Sequence, residues 1–361
     1  MPPPIVIALA SNQSYFPGLY CTVASLLLHS APERPVDLYV LDGGVTGASK
    51  DLLQSAVNSF RSNTTITWIP VAEEQFSYAV RGPGNSRMAY VRLLLPDLVG
   101  ASRCLYLDSD ILVLRDVSEL YDLELGNGIL LGAVLDHEIQ TLGKDAPQVA
   151  DALNLSGTLP YYNSGVLLMN LDGLREWGFT SNTLKFLKEW GSKCRFWDQS
   201  AINYCCAGRI RTLPEVWNYP SWQFDSNVET CLRCLLHFTG SVPWFGGYPG
   251  PAQALYERFA DEVRQPVEKQ SVRFWMTRLK WINRSVLAPL RAVGYPVAAV
   301  LCRILKNHSK ALEYGIAADY WIRYLAQFPA RRRSHRKRIL AIKTMCFLTT
   351  NEVFINERAA S

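Results

Sequence analysis

Asp108 and Asp110 stand one residue apart at the end of the apolar run in Cys104-Leu105-Tyr106-Leu107-Asp108-Ser109-Asp110-Ile111-Leu112. Read as a buried strand, that run sends positions i and i+2 to one face and sets both carboxylates side by side at its carboxyl end. Open α/β sheets hold their ligands there. Two adjacent carboxylates repel unless a cation lies between them or one keeps its proton, so the chemistry on offer is a metal site or a raised-pKa pair. His237 lies in a second apolar run, Leu232–Phe238, and is either a ligand or a core histidine satisfied by its neighbours. Cys231-x-x-Cys234-x-x-His237 partly matches zinc-ligand spacing but has no obvious fourth ligand.

Those carboxylates need a sheet beneath them, and the first third of the chain supplies its pattern. Apolar runs Ile5–Ala10, Asp37–Leu41 and Thr64–Ile69 alternate with helical spacing over Leu19–Leu28 and Leu52–Phe60. Crossovers of this length predict a parallel, doubly wound sheet with helices on both faces. Gly82-Pro83-Gly84-Asn85 breaks the chain before a helix expected over Ser86–Leu95, which Pro96 ends. Arg103–Leu107 reads as the fourth strand, followed by strands near Ile129–Val134, Gly165–Met169 and Leu232–Phe238 and helices near Thr180–Trp190 and Asp198–Cys206. A further helix is expected from Ala252, after the loop Gly246–Pro251.

The 361 residues are 48% apolar and 19% charged, an ordinary globular composition long enough for one large domain or two. The formal charge of +5 is unevenly spread: Ser271–Ser361 holds 17 Lys and Arg against 4 Asp and Glu, net +13, leaving −8 for the first 270 residues. An acidic body with a basic tail suits a metal-bound or small substrate on the body and an anionic surface against the tail. In Arg273–Arg284, Trp275, Leu279 and Ile282 share one helical face and Arg273, Lys280 and Arg284 the other. Arg331-Arg332-Arg333-Ser334-His335-Arg336-Lys337-Arg338 adds six cations in eight residues, which suits anionic headgroups, with nucleic acid as the alternative. Nine scattered cysteines fit a reducing compartment. The short apolar run after Met-Pro-Pro-Pro lacks a signal peptide's basic start, and Val293–Cys302 is too short to cross a bilayer. The expected location is the cytoplasm, peripheral on the inner face of the membrane.

Haloacid dehalogenase-like phosphatases also use Asp-x-Asp after a strand, normally an early one with Thr or Val two residues past the second Asp; here the strand is the fourth and that position is Leu112. Instead, Tyr106-Leu-Asp-Ser-Asp-Ile-Leu-Val-Leu114 with Asp116-Val-Ser-Glu-Leu-Tyr121 resembles the centre of glycosyltransferase family 8, which contains glycogenin and bacterial lipopolysaccharide galactosyl- and glucosyltransferases. Four further segments match in order. They are Ser86-Arg-Met-Ala-Tyr90-Val-Arg92-Leu, Tyr161-Tyr-Asn163-Ser164-Gly165-Val-Leu-Leu-Met-Asn170, Asp198-Gln199-Ser-Ala-Ile-Asn203 and Leu236-His237-Phe238-Thr239-Gly240.

The resemblance implies a GT-A fold, Rossmann-like and mostly parallel, over residues 1–262, with a helical basic region over 263–361. It implies a retaining hexosyltransferase that takes a UDP-sugar and Mn²⁺, with Mg²⁺ possible. Asp108, Asp110 and His237 would hold the metal, an imidazole favouring Mn²⁺ over Mg²⁺. Ala10, Asn12, Ser14, Tyr15, Ser109 and Gly240 would line the nucleotide and diphosphate, with Arg92 as a guanidinium fork. Asn163, Ser164 and Gly165 would meet the sugar hydroxyls, and Asp136 the acceptor. Asp198 and Gln199 would face the donor sugar, although Asp198 also reads as a helix N-cap. Gln199 occupies the place where a retaining glycosidase would carry a carboxylate nucleophile, and an amide is a poor nucleophile, which favours acceptor attack on the face UDP leaves. The chain departs from the family in Asn12-Gln13-Ser14-Tyr15, usually Asp-x-Asn-Tyr, and in Gly240-Ser241-Val242-Pro243-Trp244, which lacks the usual Lys. The acceptor implied is a glycan or glycolipid such as a lipopolysaccharide core. Alternatives are a self-glucosylating primer like glycogenin, or a nucleic-acid-binding protein with a degenerate transferase domain, which the intact Asp-x-Asp and Asp-Gln segments disfavour.

Overall fold

The computed structural model describes residues 3–61, 63–79, 86–224, 233–240, 242–245 and 251–263. Strands β1 (Ile5–Ser11), β2 (Val36–Asp42) and β3 (Thr64–Pro70) are joined by helices α1 (Phe16–His29) and α2 (Gly47–Phe60). In β1 every side chain but Ala10 is buried, so the strand is an uninterrupted apolar run rather than an alternation, as a strand covered on both faces requires. Helix α1 starts with Pro17 in its first turn, where the missing N–H costs no helical hydrogen bond, and is buried almost all round. Helix α2 is capped by Thr46, whose side chain accepts from Ser49 N, and buries only Ser49, Leu53 and Val57.

Among the described residues, β4 (Arg103–Leu107), β6 (Leu131–Leu135), β7 (Tyr162–Asn170) and β8 (Ile210–Thr212) complete a seven-stranded sheet of order β3-β2-β1-β4-β7-β6-β8. The half from β3 to β4 is parallel, as expected, but β7 runs antiparallel to both β4 and β6. The sheet is thus mostly parallel, as the GT-A resemblance implied, with β7 as its antiparallel member. A second, three-stranded sheet joins β5 (Ile111–Val113), β10 (Leu235–His237) and β9 (Tyr219–Pro220); β10 lies within the strand expected over Leu232–Phe238, whereas β5 and β9 were not expected, because strands of two or three residues are too short to show a period.

The helix expected over Ser86–Leu95 is instead a 3-10 turn, Met88–Leu94, followed by a short α-turn, Leu95–Leu98. Pro96 opens that turn rather than ending a helix, since proline is tolerated in a first turn. Helices Phe179–Trp190 and Trp197–Cys205 fall within one residue of their expected bounds. Contacts divide the chain into two compact units: Met1–Gln223, Glu229–Thr239 and Glu262–Gln265 form the first, and Phe224–Val228, Gly240–Asp261 and Pro266–Ser361 the second. In the second, helix Pro251–Glu262 is tied to the 3-10 turn Pro243–Phe245 by Gln253 Nε2 donating to Pro243 O at 3.2 Å. No helix of the described residues is long and apolar enough to cross a membrane. The expected basic helix Arg273–Arg284 and the cation run Arg331–Arg338 lie outside the described residues, as do Cys231 and the loops 82–85 and 246–250.

Two fully buried hydroxyls of α1 hold the strand that follows the Asp-x-Asp turn: Thr22 Oγ1 donates to Ile111 O at 2.7 Å, and Ser25 Oγ accepts from Val113 N at 3.0 Å. Thr22→Val keeps the shape and removes the donor. We expect a loss of about 1–3 kcal/mol, a fall in Tm of roughly 2–4 °C per kcal/mol in a domain of this size. A thermal melt checks it; an unchanged Tm would show that this tie contributes nothing.

Candidate active site

Strand β4 ends at Leu107, and Asp108 N still donates to Gly165 O of β7 at 2.8 Å. The chain then turns. Ser109 faces back and donates from Oγ to Ala10 O at 2.6 Å, pinning the turn to the end of β1. Asp110 leads into β5, which pairs antiparallel with β10 so that His237 lies opposite Ile111. The two carboxylates thus meet through a turn closed by β5 and β10, not through alternation along one strand as the spacing suggested. Asp108, Asp110 and His237 each offer a ligand atom within 4.8 Å of the others.

His237 Nε2 lies 3.3 Å from Asp110 Oδ1 and 3.8 Å from Asp108 Oδ2, and Asp110 Oδ1 is buried without a hydrogen-bond donor. An orphaned carboxylate oxygen facing an imidazole nitrogen and a second carboxylate is the donor set of a divalent cation site. Burial raises the Asp108 pKa, opposed by Arg92 and reinforced by Asp110. Burial alone would lower His237, but Asp110 and Asp108 outweigh it and the net direction is up: the site wants positive charge. Tyr15 feels the same field, its phenol pushed up to about 12 by burial and then by Asp110 and Asp108. Gly165 makes room for the cluster, since a Cβ there would lie 2.2 Å from His237 Cε1 and 3.0 Å from Asp108 Oδ2.

Arg92 is buried beneath the pair. Its Nη2 lies 2.8 Å from Asp108 Oδ1, and its Nη1 donates to Ser164 O at 2.6 Å. Nε donates to Ala89 O at 2.9 Å and lies 3.1 Å from Asp198 Oδ2, while the guanidinium carbon sits 4.7 Å from the centre of the Tyr106 ring. All three nitrogens of the expected phosphate fork are thus engaged with the protein. Asp198 is not the N-cap of its helix; that position is Phe196, and the Asp198 side chain turns to Arg92. Burial raises Asp198 to about 6, against the pull of Arg92. Trp197, immediately before it, holds φ at 31°, a left-handed backbone that a bulky residue adopts only where its surroundings impose it.

Gln199 is buried and held at both ends: Oε1 accepts from Ser164 N at 3.0 Å and Nε2 donates to Asp136 Oδ2 at 3.1 Å. Asp136 Oδ2 also accepts from Asn163 Nδ2 at 3.2 Å, and its Oδ1 accepts from Glu138 N and Ile139 N. The residue matched to the acceptor is therefore also the support of the amide. Asn12 Oδ1 accepts from Ser14 N, Ser14 Oγ and Tyr15 N, so that oxygen shapes the turn after β1. Gly240, with φ at 82°, belongs to the second unit. Sequence reasoning missed Asn218, which bonds His237, and Tyr106, whose hydroxyl donates to Asp108 Oδ1 at 2.7 Å. Tyr106 lay inside the quoted motif; Asn218, between aromatic residues, carried no local signal.

The sequence profile described as glycosyl transferase family 8 matches residues 6–246. The chain belongs to that family. General stress protein A of Bacillus subtilis is 28% identical over 271 residues, covering 69% of this chain and 91% of the relative. Probable galacturonosyltransferase-like 10 of Arabidopsis thaliana is 24% identical, covering 71% and 76%. Among solved structures, an active-site Gln-to-Glu mutant of LgtC aligns with a TM-score of 0.64 at 20% identity, covering 75% of this chain and all of that one. Galactosyltransferase LgtC in complex with donor and acceptor sugar analogs aligns with a TM-score of 0.60 at 21% identity, covering 74% and 98%. The family 8 chain described here thus has the GT-A fold of these enzymes, and its Asp108, Asp110 and His237 form the possible metal site.

Gly165→Ala would drive a methyl group into His237 and Asp108. We expect Mn²⁺ affinity, read from free Mn²⁺ by electron paramagnetic resonance, to fall roughly ten-fold or more. Wild-type affinity in a folded variant would dissociate this cluster from cation binding.

Proposed function

We propose that this family 8 chain is a retaining, metal-dependent hexosyltransferase that moves glucose or galactose from a UDP-sugar to a glycan or glycolipid acceptor, such as a lipopolysaccharide core. The observation that carries the reading is the convergence of Asp108, Asp110 and His237 in one cluster that Arg92, Ser164 and Gly165 connect to Gln199. LgtC, crystallised with donor and acceptor sugar analogs, supports it through the shared fold.

Asp108, Asp110 and His237 would hold Mn²⁺, or Mg²⁺, whose chemistry is to neutralise the diphosphate as it leaves. Arg92 opposes the upward shift of Asp108 and holds its side chain in place. Gln199, with Nε2 spent on Asp136 and Oε1 on Ser164, presents a fixed dipole rather than a nucleophile. Its Oε1 would stabilise the oxocarbenium-like carbon while the acceptor attacks from the face UDP vacates. Asp198, held by Arg92, would stand on the same side. Asn163, Ser164 and Gly165 would meet the sugar hydroxyls. Asp136 would border the acceptor, with the exposed ring of Trp222, edge-on to His137 at 6.0 Å, offering an apolar face. Ala10, Asn12, Ser14, Tyr15, Ser109 and Gly240 would receive the nucleotide and diphosphate. Residues 263–361 would form a basic region that keeps the enzyme on the inner face of the membrane.

Hydrolysis of UDP-glucose and UDP-galactose with Mn²⁺ tests the donor reading without an acceptor. Asp110→Asn should abolish it, and full activity in that variant or in EDTA would overturn metal dependence. Gln199→Ala should lower kcat far more than it weakens UDP binding, because the amide acts on the developing cation. A large loss of UDP affinity at unchanged kcat would make Gln199 a binding residue.

Each Lys or Arg near an anionic surface contributes about 1 kcal/mol. Replacing Arg331, Arg332, Arg333, Arg336, Lys337 and Arg338 by Gln should therefore abolish sedimentation with phosphatidylserine vesicles at low salt while UDP-sugar hydrolysis continues. Undiminished vesicle binding, or RNA binding with a steep salt dependence, would move the assignment away from the membrane.

A further inference from the structure

Asn218 lies between the 3-10 turn Glu215–Trp217 and β9, which pairs with the strand that carries His237, and it is 3% exposed. Its Oδ1 is 2.8 Å from His237 Nδ1 and its Nδ2 donates to Asn163 Oδ1 at 2.8 Å. Side-chain amides can be turned end for end, but a group that cannot be turned fixes these two. Gly165 N can only donate, and it donates to Asn163 Oδ1 at 2.9 Å. That leaves Asn163 Nδ2 at the other end of the amide, where it donates to Asp136 Oδ2 at 3.2 Å. Asn163 therefore shows its oxygen to Asn218, Asn218 must answer with Nδ2, and the Asn218 oxygen is left for His237.

An amide oxygen accepts, so His237 Nδ1 carries a proton and Nε2 is the nitrogen left to face Asp110 and Asp108. The same Asp136 oxygen accepts from Gln199 Nε2. One carboxylate thus begins two branches, Asn163 to Asn218 to His237 on one side and Gln199 on the other.

We propose that Asn218 is a positioning residue: it holds His237 with a proton on Nδ1 and Nε2 ready for the cation, and through Asn163 and Asp136 it registers the metal ligand with Gln199. The proposal rests on the metal-dependent reading of this site. Ligating histidines as a class depend on the group that accepts their other N–H, and loss of that group typically costs 10–100-fold in metal affinity or activity.

The first test needs no variant. Long-range ¹⁵N–¹H correlation on metal-free, histidine-labelled protein, with His237 assigned by its loss in His237→Gln, should show Nδ1 protonated whatever the state of Nε2; an unprotonated Nδ1 overturns the proposal. That result stands whether or not the protein binds Mn²⁺, so failure of the metal reading and failure of this one are separable. Second, Asn218→Ala, shown folded by its thermal melt, should bind Mn²⁺ 10–100-fold more weakly. Asn218→Asp keeps the acceptor for His237 but removes the donor to Asn163. It should hold Mn²⁺ within about three-fold of wild type while kcat for UDP-sugar hydrolysis falls about ten-fold or more. Wild-type Mn²⁺ affinity in folded Asn218→Ala, or equal loss of Mn²⁺ affinity in both variants, would reduce Asn218 to a packing residue.

Discussion

Asp108 and Asp198 share one guanidinium, that of Arg92, while Asp110 stands beside Asp108 and His237, and the rest of the site is arranged about that imbalance of charge. Arg92 lies within 3.1 Å of oxygens of Asp108 and Asp198, which leaves the group short of positive charge. A buried ion cluster of unequal sign is costly unless something completes it. The raised pKa of Asp108, the raised pKa of His237 and the orphaned Asp110 oxygen all express the same deficit. A divalent cation would remove it, and the donor set of Asp108, Asp110 and His237 is one that could hold such an ion.

Such a cluster holds its shape only on a stiff support. Three covered elements converge on it: β4 delivers Asp108, β7 delivers Asn163 through Gly165, and the small sheet delivers His237. The antiparallel entry of β7 matters here, because its residues Ser164 and Gly165 meet the end of β4 directly and bring the backbone close. Gly165 has no Cβ where one would strike His237, so the closeness of the Asp108–His237 cluster to the β7 backbone depends on that glycine. On the other side, Ser109 ties the turn to β1 and Thr22 and Ser25 tie β5 to α1, making the turn between the two aspartates part of the core rather than a loop.

Gln199 and His237 belong to one hydrogen-bonded system although they come from a helix and from the end of a strand in another sheet. Amides serve this purpose well: each has one donor end and one acceptor end, so a chain of them carries orientation from fixed groups to movable ones. Asp136, expected at the acceptor, is the origin of both branches. The orientations of the Gln199 amide and of the His237 ring are therefore set together, without direct contact between the two side chains.

Much of this was readable from the chain. The alternation of β1, α1, β2, α2 and β3 follows from apolar runs and periodicity, and Asp108, Asp110, Asn163, Gly165, Gln199 and His237 stood in segments whose order matched one family. Residue types and local spacing carry that information because strands and helices impose fixed periods. Other features were decided only when distant segments met. The antiparallel turn of β7 and the sheet of β5, β9 and β10 depend on pairing partners up to more than a hundred residues away, and strands of two or three residues leave no period to read. The same holds for the side chains. Asp198 read as a helix cap until Arg92, distant in sequence, claimed it; Asn218 between Trp217 and Tyr219 was an unremarkable polar residue until β9 laid it beside His237. Sequence fixes which groups are available, whereas hydrogen bonds and charges act over a few ångströms of space, and only the folded chain determines which groups lie within that reach.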